Sequence, residues 1–258
     1  MELFDLSGQV AVVTGSSRGI GRAIAERLAE HGAKVVISSR KIAPCQDVAN
    51  AINARHGPDR AMAVAANLSS KSELQVLIDA TRAHWGRIDV MVCNAASNPY
   101  YGPMAGISDE QFRKILDNNI VSHHWLVSMV APEMTQRRSG SIVIISSIGG
   151  LRGSPIIGAY CISKAADMQL ARNLAVELGP HNVRVNSISP GYTRTKLVDD
   201  LLKTPEGQAI LPHWMGMTPM ARMGEVTDLQ GAVVYLACEA SDFMTGSDLI
   251  VDGGYCAW

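Results

Sequence analysis

The sequence predicts an α/β fold: a doubly wound sheet of about seven parallel strands with helices on both faces. Two observations carry this. Short β-branched runs alternate regularly with longer stretches whose apolar residues recur at helical spacing. The strand runs are also nearly unbroken in apolar character, as in Ile142-Val143-Ile144-Ile145, which suits strands covered on both sides.

Residues 10–14 read as the first strand, and Ile20, Ala23, Ile24 and Leu28 then share one helical face. A strand at 35–38 leads into a helix at 43–54, and a strand at 61–66 into a helix at 73–84. The fourth strand, 88–93, precedes a long helix over 109–133. The fifth, 141–146, precedes a helix over 156–178, with Ser154 and Pro155 placed as its N-cap and first residue. A sixth strand at 183–188, a helix at 227–238 and a seventh strand at 249–251 complete the chain. No linker, repeat or low-complexity tract interrupts the pattern, so residues 1–258 read as a single unit. The exception is 194–224, which contains Pro205, Pro212 and Pro219 and is rich in Met and Trp. It reads as an irregular insertion, of the kind that serves as a lid or mobile loop.

With 258 residues, 47% of them hydrophobic, the chain has ample material for a buried core. A net charge of -1 gives no basic excess, so neither nucleic acid nor an anionic membrane is the expected partner. The five cysteines are scattered and form no C-x-x-C pair, which argues against a zinc site or disulfide framework and for a cytoplasmic setting. Acidic residues stand where a signal peptide would carry bases, no apolar run is long enough to span a bilayer, and Cys256-Ala257-Trp258 matches no common address tag.

The chemistry concentrates at the ends of strands. Thr14-Gly15-Ser16-Ser17-Arg18-Gly19-Ile20-Gly21 links the first strand to the first helix, where this architecture binds a dinucleotide pyrophosphate. Glycines let the backbone approach phosphate, and the helix start offers free N–H groups and partial positive charge. The bland alternative is a glycine-rich turn without a ligand. The second strand ends Ser38-Ser39-Arg40-Lys41, with no carboxylate to accept from a ribose hydroxyl. Arg40, with Arg18 nearby in the turn, suits a 2′-phosphate, so NADP(H) is preferred and NAD(H) remains possible.

Tyr160 and Lys164 form Y-x-x-x-K on one helical face, so phenol and ammonium can meet. A tyrosine ordinarily ionises near ~10, and a neighbouring cation favours its phenolate. An ordinary amphipathic helix would show the same pair by chance. Ser146 and Ser147, at the end of the fifth strand, add weight, because carboxyl ends of strands are where ligands sit in such sheets.

These motifs together resemble the short-chain dehydrogenase/reductase family in its short, single-domain branch, over essentially the whole chain. Thr14 to Gly21 is similar to the T-G-x-x-x-G-x-G turn, and Cys93-Asn94-Ala95-Ala96 to N-N-A-G. Ser147 precedes Tyr160 by 13 positions, and Asp252-Gly253-Gly254 resembles the family's C-terminal signature. The resemblance implies a Rossmann-like fold and Asn119, Ser147, Tyr160 and Lys164 as catalytic residues. It implies cofactor contacts from Gly15, Ser17, Arg18, Gly19, Ile20, Gly21, Ser39, Arg40, Asn67, Leu68, Asn94, Ala95, Ala96, Tyr160, Lys164, Pro190, Gly191, Thr193 and Thr195. In that scheme Ser147 holds a carbonyl oxygen, Tyr160 protonates it, and Lys164 supports both tyrosine and ribose.

The implied substrate is a small carbonyl compound or alcohol. Ser147, Tyr160, Tyr101, Tyr192 and Trp214 are the candidate substrate contacts, with the Met-rich insertion as an apolar wall. Asn67 stands where an aspartate is usual and can still accept an adenine amino proton. His123 and His124 are neighbours on a helix, which makes a poor metal pair and reads as packing; no metal site is expected. A 3-oxoacyl-[acyl-carrier-protein] reductase is the nearest rival, with Arg137 and Arg138 in a suitable turn but His181 where a second arginine is usual. A nucleotide-binding regulator without catalysis is a further alternative, disfavoured by the complete catalytic set. The resemblance also implies a homotetramer.

Overall fold

A computed structural model of the protein describes residues 2–257; Met1 and Trp258, the ends of the range read as a single unit, lie outside them. Seven parallel strands form one sheet: β1 (Val10–Thr14), β2 (Lys34–Ser39), β3 (Ala61–Ala65), β4 (Val90–Cys93), β5 (Gly140–Ile145), β6 (Val183–Pro190) and β7 (Asp248–Val251). Their order is β3-β2-β1-β4-β5-β6-β7. The chain winds outward from β1 to β3, then returns to the other side of β1 to lay down β4. That reversal opens a crevice at the carboxyl ends of β1 and β4, the place where such sheets bind ligands.

Helices α1 (Gly19–Glu30), α2 (Ile42–His56) and α9 (Gln230–Ala237) cover one face, and α3 (Lys71–Trp85), α5 (Ser122–Arg137) and α6 (Gly158–Leu178) the other. The pleat sends Val13 into the first core with Ile24, Leu28 and Val233, and its neighbour Val12 into the second with Leu77, Leu126 and Ile142. This two-sided burial explains why the strands read as apolar runs rather than as alternating ones.

At the amino end of the sheet, the buried Asp89 carboxylate accepts the Val10 N–H at 2.9 Å. Arg87 and Arg137 both pair with the same carboxylate. One side chain thus joins β1, the approach to β4 and the end of α5.

Three expectations need correction. The helix predicted over 109–133 runs on to Arg137 and is not uniform. Helix α4 (Asp109–Leu116) passes through a π-helical turn, Asp117–Val121, into α5. Ser154 and Pro155 do not start α6. The helix begins at Gly158 with Ile157 as cap residue, while Ser154 Oγ accepts the N–H groups of Ile156 and Ile157, both at 3.3 Å, in the preceding loop. Residues 194–224 are not irregular: they hold α7 (Lys196–Leu201) and α8 (Pro205–Gly216). Pro205 occupies the first turn of α8, where its missing N–H is no loss.

Candidate active site

The glycine turn is shaped from below by β2 and β4. Ser16 Oγ donates to the Val13 carbonyl at 2.6 Å and accepts the Ser38 N–H at 2.9 Å. Thr14 Oγ1 accepts the N–H groups of Asn94 and Ala95 at 3.0 and 3.1 Å, and Asn94 Nδ2 donates to the Thr14 carbonyl at 2.8 Å. Gly15 and Gly19 hold φ of 67° and 58°, a left-handed backbone that side chains disfavour. At Gly21 a Cβ would overlap the Asn94 amide and sit 2.5 Å from the Gly15 carbonyl oxygen. Gly15 and Gly21 therefore let the backbone fold tightly over Asn94, while Gly19 faces Thr195. Arg18 is the cap residue of α1 and offers no side-chain cap, which leaves the first N–H groups of the helix open to an anion.

Arg18 and Arg40 are both exposed, at the carboxyl ends of the adjacent strands β1 and β2. Ser39 turns its hydroxyl to the Lys41 carbonyl and the Cys45 thiol. Asn67 Oδ1 already accepts the Ser69 N–H at 3.2 Å, which leaves one lone pair for another donor. Leu68 packs on the second core. Beyond β6, Gly191 lies so close to Asp252 that a Cβ would come within 2.6 Å of its Cα. Thr193 Oγ1 donates to the Gly191 carbonyl, and Thr195 caps α7 with its methyl group 3.8 Å from where a Gly19 Cβ would stand. The segment after β6 thus lies across the glycine turn.

Ser147, Tyr160 and Lys164 converge at the end of β5. Ser147 follows the strand in extended conformation, and its Oγ accepts the Gly149 N–H at 3.0 Å. A Cβ placed on Gly149 would lie 3.2 Å from Cys161 Sγ, 3.4 Å from Ser147 Oγ and 3.7 Å from Tyr160 Cε1, so the thiol, the hydroxyl and the phenol ring border one small space. Lys164 Nζ stands 5.7 Å from the centre of the Tyr160 ring. Its ammonium is 1% exposed and donates to the Ile145 carbonyl at 2.8 Å and to Asp167 Oδ2 at 2.9 Å. Burial opposes this charge, but the Asp167 carboxylate outweighs it, helped by Tyr160, and holds the ammonium above the ordinary lysine range.

Asn119 is fully buried within the π turn. Its Nδ2 donates to the Ser97 carbonyl and to Ser163 Oγ, both at 3.0 Å, and its Oδ1 accepts the Ser97 N–H at 2.8 Å. Ser163 Oγ in turn donates to the Tyr160 carbonyl at 2.7 Å. The side chain of Asn119 thus ties the loop after β4 to the first turns of α6.

Beyond β6, Tyr192 stacks on Trp214 with ring centres 4.3 Å apart and meets Tyr255 edge-on at 5.2 Å. Burial, then the Tyr255 hydrogen bond, pushes the Tyr192 phenol up and keeps it neutral. Tyr101, by contrast, is 63% exposed and stands apart from this stack in solvent. Met104 lies against Gly158, where a Cβ would approach its Sδ to 2.6 Å.

A family described as enoyl-(acyl carrier protein) reductase matches residues 15–256. The dehydrogenase/reductase SDR family member 4 of Rattus norvegicus is 36% identical over 96% of this chain and 88% of its own length. The chain belongs to the short-chain dehydrogenase/reductase family. Two solved structures overlay closely. One is a 3-oxoacyl (acyl-carrier-protein) reductase from Agrobacterium tumefaciens C58 with NADP bound, at 33% identity and TM-score 0.91, covering 98% of this chain and 96% of that one. The other is a 7α-hydroxysteroid dehydrogenase complexed with NADH and 7-oxo glycochenodeoxycholic acid, at 32% identity and TM-score 0.92 with the same coverages.

Read as a short-chain dehydrogenase/reductase, the chain presents residues that fit a dinucleotide. The uncapped start of α1, the left-handed glycines and the overlay of Thr195 form the cradle a pyrophosphate needs. Sequence reasoning missed Tyr255, Met104 and Asp167, and read His123 only as a packing residue. Asp167 lies one helical turn beyond Lys164, and His123 one turn beyond Asn119, spacings that place each on the face of a predicted site residue. Tyr255 and Met104 carry no spacing signal, because tertiary packing alone brings Tyr255 onto Tyr192 and Met104 onto Gly158. Among the described residues no cluster of three metal-binding side chains occurs, and no helix is long and apolar enough to cross a membrane.

Proposed function

We propose that this protein is an NADP(H)-dependent oxidoreductase that interconverts a ketone or aldehyde with an alcohol, with Tyr160 as acid and base. The supporting observation is the meeting of Ser147 Oγ and the Tyr160 ring around Gly149, with the buried Lys164 ammonium behind the ring. The nicotinamide cofactor, when bound, supplies or accepts the hydride. Ser147 donates a hydrogen bond to the carbonyl oxygen, which steadies the negative charge that develops there. Tyr160 gives that oxygen a proton in reduction and takes it back in oxidation. Lys164 favours the phenolate by its charge. Asn119 positions α6 through Ser163 and the Ser97 backbone. Tyr192 and Trp214 form an apolar wall for the substrate, with Tyr255 behind them.

The preference for NADP(H) over NAD(H) rests on Arg40 and Arg18 beside the end of β2, where no carboxylate stands to meet a ribose hydroxyl. Pro190, Gly191, Thr193 and Thr195 close the cradle from above.

A 3-oxoacyl-[acyl-carrier-protein] reductase is the second reading, favoured by the likeness to the NADP-bound reductase. Against it, Arg137 is drawn inward onto Asp89 and the Ile88 carbonyl, which removes one of the two arginines a carrier protein would meet. We further propose a cytoplasmic homotetramer. β7 is an outer strand of the sheet, and Ile250 on it and the nearby Phe243 stand exposed, at 47% and 107% of their reference area. Sedimentation at a species of four chains is expected.

The deciding experiment is a panel of ketones, aldehydes and alcohols, with a 3-oxoacyl carrier protein included, followed by NADPH and NADH absorbance. Turnover of a simple carbonyl compound, faster with NADPH, is expected. Tyr160→Phe should abolish turnover while NADPH still binds; turnover retained in that variant refutes the assignment.

A further inference from the structure

Behind the Tyr160–Lys164 pair lies a buried cluster of charges that the chemistry just described does not use. Asp167 is wholly buried, and its two carboxylate oxygens are divided between two partners. Oδ2 accepts from Lys164 Nζ at 2.9 Å, and Oδ1 faces His123 Nδ1 at 2.9 Å. The His123 ring is likewise wholly buried, and its other nitrogen, Nε2, faces the Ala95 carbonyl at 3.2 Å. A carboxylate and a carbonyl are both acceptors. A neutral ring can donate to only one of them; donation to both takes a proton on each nitrogen, the imidazolium form.

The alternative, a protonated Asp167 that donates to the ring, is opposed by its surroundings. Burial favours the neutral acid, but Lys164 and His123 outweigh it by charge and hydrogen bonding and hold Asp167 below the ordinary carboxylate range. The titratable groups that face the ammonium are Asp167 and Tyr160 from α6 and Cys93 from β4, with His123 of α5 behind Asp167. Burial pushes the Cys93 thiol up, so it stays neutral.

The charge balance now depends on the histidine. With a neutral His123, Asp167 cancels Lys164, and the phenol meets a neutral pair. With His123 as imidazolium, the cluster carries net positive charge, which a phenolate at Tyr160 would balance. We propose that His123 and Asp167 are positioning residues that hold the Lys164 ammonium against the Ile145 carbonyl and set the net charge it presents to Tyr160. This rests on the reading of Tyr160 as acid and base; neither residue touches the reacting atoms. The geometry also explains why two ionisable groups persist in a core position: a lone buried carboxylate or imidazolium would be strongly destabilising, whereas the chain from Ala95 to Ile145 meets every charge with a partner.

Two measurements test this. In the protein carrying ¹⁵N-labelled histidine, the His123 ring is assigned by its loss in His123→Gln or its displacement in Asp167→Asn. It should show the doubly protonated signature at pH 7; a neutral ring there overturns the proposal. Second, the tyrosinate absorbance of Tyr160 is read as the difference between each protein and its Tyr160→Phe counterpart. Removing the positive charge in His123→Gln should move the Tyr160 ionisation midpoint up by about one pH unit, and Asp167→Asn should move it down by a similar amount. The alkaline limb of kcat for alcohol oxidation should follow in the same directions. A purely structural role would lower melting temperature and amplitude without opposite shifts, and unmoved midpoints in both variants overturn the inference. Should no carbonyl compound turn over, the proposed function fails, while the absorbance and NMR measurements still decide this cluster.

Discussion

Two adjacent serines show how far the fate of a residue is set by its direction. Ser146 is buried, and its Oγ donates to the Lys164 carbonyl at 2.7 Å, fastening β5 to α6. Ser147, half-buried, accepts the Gly149 N–H and sets its hydroxyl near the same point beside Gly149 as the Tyr160 ring. Ser146→Ala should therefore lower stability by about 1 kcal/mol, the net worth of a buried hydrogen bond, with turnover preserved. Ser147→Ala should lower kcat/KM by roughly 10²–10³-fold with an unchanged melting temperature. Both are read by parallel melts and steady-state assays. At β2, Arg40→Asp should reverse the proposed preference for NADP(H), raising the NADH to NADPH ratio of kcat/KM by at least about tenfold through repulsion of a 2′-phosphate; a ratio that does not move would exclude Arg40 from phosphate recognition. The sequence showed which residue types stand near the strand ends, because strand ends follow from apolar runs. It did not show His123 and Asp167 meeting, since they are 44 positions apart on two helices and only packing joins them.

At the scale of elements, the glycine turn and the π turn do comparable work by opposite means. In the first, missing side chains permit close approach. Gly21→Ala would drive a methyl group into Asn94 and the Gly15 carbonyl. It should cost about 1–3 kcal/mol and weaken NADPH binding together, read by denaturant midpoint and by fluorescence titration. In the second, the widened turn at Asp117–Val121 seats both Asn118 and Asn119 inward, so that Ser69, Ser97 and Ser163 are all reached from one segment. Helical periodicity placed a helix here and could not reveal the local change of pitch, because a π turn keeps the same residue types and differs only by hydrogen-bond register. The same limit explains 194–224. Its prolines read as breakers, yet Pro205 starts a helix. Pro212 sits inside one, where neighbouring packing overrides its local preference. Ser154 carried a valid capping signal and satisfies two N–H groups, but of the loop rather than of the helix.

For the whole molecule, stability should fall on the acid side. Asp59 accepts from His84, Trp85 and Lys34, which lower its carboxyl to about 2. A group lowered on folding stabilises above its unfolded value, near ~3.9, and loses that contribution as pH falls through the folded one. Asp167, also held low, acts in the same direction. Melting temperature should be level near neutrality and decline below about pH 4, and Asp59→Asn should flatten that decline slightly, since the site is half-exposed and screened. The overall sheet was legible because seven apolar runs alternate with amphipathic ones; the strand boundaries shift by only a residue or two, and several of those shifts fall on buried residues such as Ile88, Ser146 and Ser189, where burial alone does not mark the strand end.

The carboxylate of Asp89 has a consequence for what this scaffold tolerates. It rivets together the margin of the sheet farthest from the glycine turn, and the rivet shares no atom with the reactive margin. Transplanting the 194–224 segment from a relative of different appetite should therefore change which molecules are accepted while the sheet beneath keeps its melting behaviour, whereas Asp89→Ala should loosen the whole body without altering selectivity.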